Sequence, residues 1–482
     1  MRLMSPDTIF GSMLTGTMRQ AAAEMSDAEK QAVAEWLAGR EVGSPPWTLR
    51  FDYVHSGSAA REEFRPDGLW REGPWPGPKG KREDTLGFGK YRFVVRQLSD
   101  GMLVYSRGFS SIYGEWETTG DAKTKTAEFH ESARFPMPEV PVRLTIEKRD
   151  AANRFQPVWS SELRPDEAQP VARETQPVVW AVLENGPSEK KVDLLLAGDG
   201  YTEAEMDKWR GDARRAAEAL FRESPFRERR SSFNIWAADV PARRSGVPRP
   251  SDGVAHDSPW GAAYDAFGSE RYVLIFDNKR LRDLAGAAPY EFLIVLVNDR
   301  KYGGGGIYQL YATAAAGNAF RDYLVVHEFG HHFAGLADEY YTSDVAYEAD
   351  PHAPEPWEAN VTRDPRAAKW TPLLSPGVRL PTPWPKKEFE ERQNNVQAER
   401  KQLRAHGAPE EQMESLFRRE LAWTTRLLAP LRGQVGAFEG ANYSSTGSYR
   451  PQADCLMFTR DNVGFCAVCR RALEKVIDLY TE

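Results

Sequence analysis

The pattern that most constrains this chain is His-Glu-Phe-Gly-His, at His327–His331. On an α-helix, residues four apart lie on the same face, so the two histidines can bind one cation together. The apolar run Tyr323–Val326 before them suits the buried start of such a helix. Glu328 stands beside the first histidine, where its carboxylate can polarise a water molecule. The pattern therefore predicts a catalytic zinc site.

A catalytic zinc ion needs a third protein ligand and one open coordination position. Gly335 follows His331 by about one helical turn and is expected to end the helix as its C-cap. The chain then presents two neighbouring acidic residues. We expect Asp338 to be the third ligand, with Glu339 as the alternative. His332 is rotated from His331 by about 100° on the helix, so it is expected to support the site or the core.

Composition and charge exclude several classes of protein. The length of 482 residues and the hydrophobic content of 41% suit two or three domains with real cores. The formal net charge of −7, with basic residues scattered along the chain, argues against a dedicated nucleic-acid binder. No apolar run reaches the roughly 18 residues that suggest a membrane span. The oligomeric state is not indicated.

The sequence divides into four segments of different character. Residues 1–45 are predicted to be a helical N-terminal appendage, and residues 163–182, with prolines among charges, a linker. Residues 46–162 alternate apolar and polar positions between turns, which predicts a β-sandwich accessory domain. Strand and helix patterns alternate over residues 183–482, with a charged helical hairpin inserted at 386–432. The predicted fold class is therefore α+β or α/β.

The three cysteines, Cys455, Cys466 and Cys469, lie close together in the sequence. One disulfide with one remaining thiol is one possibility, and a reduced, buried Cys-x-x-Cys pair is another. Cysteine usage therefore does not settle the compartment. The first residues, Met1–Pro6, lack the apolar segment of a signal peptide, so the protein is either cytoplasmic or its export signal is missing from this chain.

The zinc helix and its flanks resemble a known family. The run HEFGHHFAGLADEYY, from His327 to Tyr341, resembles the IgA-peptidase family of bacterial zinc metallopeptidases. Four more segments resemble its catalytic domain: LLAGDGY at 195–201, YGGGGIY at 302–308, PWEANVT at 356–362 and FEGANY at 438–443. Two segments resemble its β-rich N-terminal domain: GKYRF at 89–93 and SRGFSS at 106–111. Many zinc peptidases share HExxH, so the flanking segments make the match specific.

The resemblance implies a metzincin-like zinc peptidase domain that follows an accessory β-domain. It assigns the zinc-ligand role to His327 and His331 and the general-base role to Glu328. Asp338 corresponds to the acidic third ligand. The resemblance also implies a secreted or cell-surface location.

Two further positions bear on this resemblance. Met457, in Cys455–Phe458, looks like the methionine turn that packs beneath the metal of such peptidases. In the wider metzincin pattern the third ligand stands six residues after the second histidine, where this chain has Ala337. The third ligand is therefore expected to be displaced to Asp338.

The predicted function is that of a zinc-dependent endopeptidase, which hydrolyses peptide bonds through a metal-activated water. Glu328 would take a proton from that water and pass it to the leaving amine. A second group must stabilise the oxyanion, and Tyr443 and Tyr449 are candidates, with packing in the core as the alternative. The glycines Gly303–Gly306 are either a strand edge for a substrate backbone or a flexible turn.

The expected partner is a protein or peptide substrate, and neither nucleic acid nor a membrane is expected. Two other hypotheses stay open. The chain could be a surface protein- or glycan-binding protein with a vestigial zinc site, although such a site would not need the carboxylate of Glu328. It could also be a zinc hydrolase that acts on non-peptide amides.

Overall fold

The structure, a computed structural model, describes residues 47–481 apart from 79, 343–353 and 461–462, together with isolated positions before residue 47. The helical appendage expected over residues 1–45 therefore falls outside the continuously described chain. Within the described residues, seven α-helices and several β-sheets build a mixed α+β fold. The predicted fold class is confirmed at this level.

The N-terminal part consists of two four-stranded sheets. Its elements are β1 Thr48–Ser58, β2 Arg61–Arg71, β3 Tyr91–Gln97, β4 Leu103–Phe109, α1 Ile112–Trp116, β5 Ala127–Pro136, β6 Val142–Arg149, β7 Phe155–Leu163 and β8 Gln169–Pro170. The strand orders are β5-β1-β2-β8 and β4-β3-β6-β7. Buried side chains from both sheets, among them Phe51, Phe93 and Leu144, belong to one hydrophobic cluster. The sheets therefore pack face to face, as in a β-sandwich.

The C-terminal part is organised around a six-stranded sheet. The strands of the C-terminal part, which also form two two-stranded sheets, are β9 Val178–Leu183, β10 Val192–Asp199, β11 Phe233–Asp239, β12 Ala262–Ala263, β13 Leu274–Ile275, β14 Phe292–Val297, β15 Gly304–Ile307, β16 Tyr311–Ala315, β17 Phe438–Ala441 and β18 Ser444–Arg450. The order of the main sheet is β15-β16-β14-β10-β11-β9. The four central strands are parallel, and β15 and β9 run antiparallel at the two edges. The fully buried β10 and β14 have the apolar sequences that such a position requires.

The helices of this part are α2 Met206–Arg222, α3 Asn278–Ala285, α4 Arg321–Ala334, α5 Lys386–Ala405, α6 Glu410–Leu428 and α7 Ala467–Thr481. Helix α4, which carries the HExxH pattern, packs on β15 and β16 and against α2 and α7. It ends at Gly335, which has a left-handed φ of 57° and donates its N–H to the carbonyl of His331 at 2.9 Å. The predicted C-cap is confirmed. No helix in the described ranges is long and apolar enough to cross a membrane.

The inserted segment is a helical hairpin of α5 and α6. The chain turns between them at residues 406–409, where Gly407 has a φ of 60°. Gln393 on α5 donates to Glu420 on α6 at 2.8 Å. The ring of Phe417 on α6 packs edge-on against Tyr302, with 5.5 Å between ring centroids. The hairpin therefore contacts the segment that leads into β15.

A buried ion cluster joins the two parts of the molecule. Arg50 on β1 is fully buried and lies 3.0 Å from Asp52 and 3.1 Å from Glu72, both in the N-terminal part. Its remaining nitrogen donates to Asp283 on α3 at 2.7 Å. The predicted linker, residues 163–182, contributes β8 to one part and most of β9 to the other. The two parts are therefore in contact through side chains as well as through the connecting segment.

Candidate active site

Three donor atoms converge where α4 ends. The Nε2 atoms of His327 and His331 lie 3.1 Å apart, and Oδ1 of Asp338 lies 3.0 Å from the first and 3.2 Å from the second. Helix α4 places the histidines one turn apart, and the turn at Gly335 brings Asp338 back over them. Ligand distances of about 2.0–2.1 Å in a tetrahedral zinc site place donor atoms about 3.3 Å from one another. The structure therefore brings together the three predicted ligands.

Hydrogen bonds fix the direction of both imidazole rings. Nδ1 of His327 lies 3.2 Å from the carbonyl oxygen of Leu456, and Nδ1 of His331 lies 2.5 Å from that of Leu336. A carbonyl only accepts, so each Nδ1 carries a proton, and each Nε2 faces Asp338, where it can bind a metal ion once it is deprotonated. Within the described chain, Oδ1 of Asp338 is buried and has no hydrogen bond of good geometry. Three donor atoms this close together need a proton or a metal cation between them, and two imidazoles with a carboxylate are ligands that zinc accepts, so the residues fit a zinc ion.

The attraction between the histidines and Asp338 shifts the pKa values of His331 and Asp338. Burial alone would lower the pKa of His331, but the Asp338 carboxylate outweighs burial and raises that pKa to about 9. Burial alone would raise the pKa of Asp338, but His331 and His327 hold it well below its ordinary value. The three side chains together therefore favour a positive charge between them.

Glu328 lies between the histidines and the edge strand β15. A β-carbon at Gly304 would lie 3.2 Å from Oε1 of Glu328, and one at Gly306 would lie 2.3 Å from the backbone oxygen of Glu328. Only glycine allows the strand to approach the helix this closely. Burial raises the pKa of the Glu328 carboxyl against the smaller, opposing effect of the two histidines. A carboxylate with a raised pKa is suited to accept a proton near neutral pH.

Met457 packs against the face of α4 that lies below the ligands. A β-carbon at Gly330 would lie 3.1 Å from its sulfur, and its side chain is fully buried. The preceding carbonyl, of Leu456, accepts the hydrogen bond from His327. The segment around Met457 therefore supports both the helix and the orientation of one ligand.

Tyr443 reaches the site from a tight turn between β17 and β18. Asn442 and Tyr443 both have left-handed backbone angles, with φ of 48° and 61°. A two-residue hairpin turn with this geometry normally has glycine at the second position, so the tyrosine is held in a strained conformation. Its hydroxyl donates to Oδ2 of Asp338 at 2.5 Å. The structure therefore brings Tyr443 to the site through the third ligand.

Two other candidates lie away from the histidines. Tyr449 lies on β18, and its backbone pairs with that of Thr362, with N–O distances of 2.8 and 3.1 Å. Tyr449 is absent from the described residues that line the cleft over the site. Glu339, the alternative third ligand, turns away from its neighbour Asp338 and approaches the three cysteines. Neither side chain is therefore brought together with His327 and His331.

His332 connects α4 to the sheet. Its Nδ1 donates to the carbonyl of Ile307 at 3.0 Å, and its Nε2 accepts from the N–H of Leu293 at 3.0 Å. Burial lowers its pKa to about 3, so the ring is neutral. It is a structural residue, in agreement with its position on the helix.

Three residues at the site were not among the sequence candidates. The hydroxyl of Tyr323 lies 3.1 Å from Nδ1 of His327, and the ring of Tyr340 stacks on that histidine with 6.3 Å between centroids. Arg271 donates to the Tyr340 hydroxyl at 3.4 Å. The spacing of Tyr323, four residues before His327, was a usable signal. Arg271 is far away in sequence, so no local pattern indicates it.

A cleft of ≈ 1170 Å³ opens over the donor atoms. Three parts of the chain line it. Helix α4 and β15 form its floor, while the N-terminal part contributes residues such as Glu117 and Arg149. The inserted hairpin contributes Phe389, Arg400 and Phe417. The insertion, to which the sequence assigned no chemistry, therefore forms part of the wall of the cleft.

Two protein-family models match this chain. The model described as IgA Peptidase M64 matches residues 180–477, and the model described as Peptidase M64 N-terminus matches residues 44–160. No curated protein matches this chain. The first family match alone spans more than half of the sequence and includes the described donor atoms. The chain therefore belongs to the IgA peptidase M64 family of metallopeptidases.

Proposed function

We propose that this peptidase is a zinc endopeptidase. The observation that carries the proposal is the convergence of Nε2 of His327, Nε2 of His331 and Oδ1 of Asp338 within 3.2 Å of one another. Two imidazoles and a carboxylate beneath an open cleft are a donor set typical of catalytic zinc. The hydrogen bonds from both Nδ1 atoms keep the lone pairs directed to one point.

The residues have distinct roles in this proposal. His327, His331 and Asp338 would hold the zinc ion. When bound, zinc supplies a Lewis acid that lowers the pKa of a water molecule towards neutrality. Glu328 accepts a proton from the attacking water and delivers it to the leaving amine.

The oxyanion that forms on the substrate carbonyl needs a donor from the protein. Tyr443 lines the cleft beside the ligands and stays our candidate for this role. Its hydroxyl donates to Asp338 in this structure, so it would have to exchange that acceptor for the substrate oxygen. A role in positioning Asp338 is the alternative, and the two roles have different kinetic consequences.

The shape of the cleft supports cleavage within a polypeptide. Strand β15 is an antiparallel edge strand, and its residues Gly304–Ile307 all line the cleft. At Gly304 its outer edge already bonds to the backbone of Arg271 and Val273, at 3.1 and 3.2 Å, so a substrate would pair with the strand from Gly306 onward. A substrate segment can add to such an edge through backbone hydrogen bonds. The volume of ≈ 1170 Å³ exceeds the roughly 300–1,000 Å³ of most small-molecule sites. We therefore propose that an extended segment of several residues binds along β15.

We also propose a metzincin-like arrangement for the catalytic domain. Its support is the position of Met457, whose sulfur lies against Gly330 of the zinc helix. The displaced acidic ligand, Asp338, distinguishes this site from one with a third histidine.

The test combines metal content with casein hydrolysis, for the wild type and for Glu328→Gln. Glutamine has nearly the shape of glutamate, so the variant should keep the close packing against Gly304 and Gly306. We expect zinc to be bound by both proteins and casein to be cleaved only by the wild type. Full activity of Glu328→Gln would contradict the assigned base, and failure of the purified protein to bind zinc at His327, His331 and Asp338 would contradict the metal site.

A second measurement separates internal cleavage from removal of terminal residues. Peptides that are acetylated at the N-terminus and amidated at the C-terminus should be cut at internal bonds, as mass spectrometry of the products would show. Products that differ from the substrate by one terminal residue, and only with unblocked peptides, would reject the endopeptidase proposal. Binding of zinc without hydrolysis of any peptide or casein would favour the binding-protein hypothesis.

A further inference from the structure

A second group of metal-binding side chains lies beside the active site. Glu339, Cys455, Cys466 and Cys469 are all buried, and one donor atom of each lies within 4.8 Å of the others. The cysteines flank the Met457 turn and the start of α7. Glu339 directly follows the proposed catalytic ligand Asp338. None of these four side chains has a role in the proposed peptidase chemistry.

The distances within this Cys3Glu cluster suit one tetrahedral ion. The sulfurs of Cys455 and Cys469 lie 3.9 Å apart. Oε1 of Glu339 lies 3.4 Å from the sulfur of Cys469 and 3.9 Å from that of Cys466. Zinc–sulfur bonds of about 2.3 Å and a zinc–oxygen bond of about 2.0 Å give about 3.8 Å between sulfurs and about 3.5 Å between sulfur and oxygen. The observed separations lie close to both values.

Backbone N–H groups face two of the three sulfurs, those of Cys455 and Cys466. The N–H groups of Met457 and Cys466 point to the sulfur of Cys455, at 3.5 and 3.3 Å. The N–H of Cys469 points to the sulfur of Cys466, at 3.4 Å. Backbone donors and the N-terminal end of α7 both stabilise negative charge on sulfur.

The carboxylate of Glu339 supplies an independent observation. Asn360 donates to its Oε1 at 3.0 Å. Its Oε2 is buried, and no described residue forms a hydrogen bond with it. A carboxylate oxygen without a partner in the interior is costly unless a cation or a proton satisfies it. The Glu339 carboxylate therefore needs a proton or a metal cation at this oxygen, and a metal cation there would also lie next to the three sulfurs.

We propose that Cys455, Cys466, Cys469 and Glu339 bind a second zinc ion, which has a structural role. Four protein ligands leave no open position, so this site would not hydrolyse a substrate. The position of this site in the chain indicates which segments the ion would hold together. Glu339 adjoins Asp338, and the N–H of Glu339 donates to the carbonyl of Met457 at 2.8 Å. The ion would therefore tie the segment that carries the third catalytic ligand to the segment that supports the zinc helix.

A disulfide explains fewer of these observations. A disulfide between Cys455 and Cys469 requires a sulfur separation of about 2.0 Å, compared with the 3.9 Å observed. It would also leave Cys466 and the buried Glu339 carboxylate without a role. A single ion uses all four side chains, and zinc is the usual choice for thiolate-rich tetrahedral sites.

Cobalt substitution tests the proposal in the intact protein. Cobalt(II) bound to thiolates gives an intense charge-transfer absorption in the near ultraviolet, and the His327–His331–Asp338 site has no sulfur ligand. We expect two cobalt ions in each wild-type chain, together with this absorption. Cys469→Ser should lose most of the absorption and one metal ion. The matched control, His331→Ala, should weaken the catalytic site and keep the thiolate absorption.

Metal analysis and X-ray absorption of the zinc-loaded wild type make the test independent of variants that fail to fold. Zinc–sulfur scattering at about 2.3 Å is expected. One metal per chain without zinc–sulfur scattering, or a disulfide found by mass spectrometry in the freshly purified protein, would overturn the proposal. The sulfur signal and the casein assay vary separately, so failure of the structural site and failure of the proposed peptidase function are distinguishable.

Discussion

Asp338 and Glu339 are adjacent carboxylates, yet their side chains face different groups. Asp338 faces the two histidines of the zinc helix at 3.0 and 3.2 Å. Glu339 faces the cysteines, with its Oε1 3.4 Å from Cys469. Because one peptide bond separates them, a backbone shift at either carboxylate displaces the other. The geometry of the proposed catalytic ligand therefore depends on a side chain that does not touch the catalytic metal.

Tyr443→Phe is the sharpest test at the scale of one residue. The variant keeps the ring and loses the hydroxyl that donates to Oδ2 of Asp338 at 2.5 Å. If Tyr443 positions Asp338, zinc affinity should fall by about 10–100-fold, as is usual when a group that orients a metal ligand is removed. Competition with a chromophoric chelator measures this affinity.

The matched control for this prediction is Tyr449→Phe, since Tyr449 lies on β18, pairs with the backbone of Thr362 and is not among the described residues that line the cleft. We expect its zinc affinity and activity to match those of the wild type. Unchanged zinc affinity in Tyr443→Phe with a reduced kcat would instead assign the hydroxyl to the oxyanion. Unchanged affinity and unchanged kcat would remove Tyr443 from both roles.

At the scale of elements, the contact between α4 and β15 determines where Glu328 lies. A β-carbon at Gly306 would lie 2.3 Å from the backbone oxygen of Glu328 and 2.8 Å from Cβ of His331. Gly306→Ala must therefore push the strand from the helix. Displacement of the base and a ligand by a fraction of an ångström to one ångström should reduce kcat/KM on the order of 100-fold. Casein hydrolysis and thermal unfolding measure the two effects.

Gly211→Ala is the corresponding control. Gly211 lies within α2, and no atom lies within 4 Å of the β-carbon that alanine would add. Alanine in a helix interior should raise the free energy of unfolding by roughly 0.5–1 kcal/mol and leave activity unchanged. Equal activity of Gly306→Ala and Gly211→Ala would contradict the importance of the close approach between α4 and β15.

The pairing of β1 with β2 has a pH-dependent component. Burial alone would raise the pKa of Glu62, but bonds from His55 and Lys148, both at 3.1 Å, outweigh it and lower that pKa to about 2. A carboxyl with a depressed folded pKa stabilises the protein above its unfolded pKa and loses this contribution as pH falls towards the folded pKa. Relative to Glu62→Gln, the wild type should be more stable by on the order of 1–3 kcal/mol at pH 7.

Urea unfolding at several pH values checks this prediction. The stability difference between the wild type and Glu62→Gln should be largest near pH 5, where Glu62 is ionised and His55, whose pKa Glu131 and Glu62 raise against the effect of burial, is protonated. It should shrink steadily below about pH 4.5. A difference that grows below that pH would show that the carboxylate is destabilising in the folded protein.

Local patterns in the sequence predicted the elements of the site better than its contacts. Helix α4 and its end at Gly335 follow from residues within a few turns of one another, and the structure confirms both elements. Glu339 and Cys469 are 130 residues apart, so only the fold could show that they meet. The sequence offers Tyr443 and Tyr449 equally as candidates, and only the fold shows that the turn between β17 and β18 directs Tyr443 to Asp338.

At the scale of the whole molecule, Arg50 connects the domains through charge. It bonds to Asp52 and Glu72 within its own domain and to Asp283 across the interface. Arg50→Met would remove the guanidinium that Asp52 and Glu72 share and would leave Glu72 with Arg134 alone, at 2.8 Å. We expect a loss of about 3–5 kcal/mol in the free energy of unfolding. Denaturant unfolding followed by tryptophan fluorescence measures this loss.

Asp283→Asn serves as the comparison, because it removes only the bond across the interface. The Asp283 side chain is 22% exposed, so the expected loss is about 1 kcal/mol or less. Equal losses in the two variants would show that the arginine acts mainly between domains. A larger loss in Arg50→Met, as expected, places most of its effect inside the β-sandwich.

The cleft, lined by the sandwich, the zinc helix and the inserted hairpin, has a consequence for how targets are selected. A folded domain is far wider than the space over the donor atoms, so its backbone cannot reach β15 while it stays folded. Cleavage would then occur at hinges and frayed ends, where a stretch of the target is already extended or unfolds transiently. The frequency of such openings in the target, more than the identity of its side chains, would govern which bonds are cut.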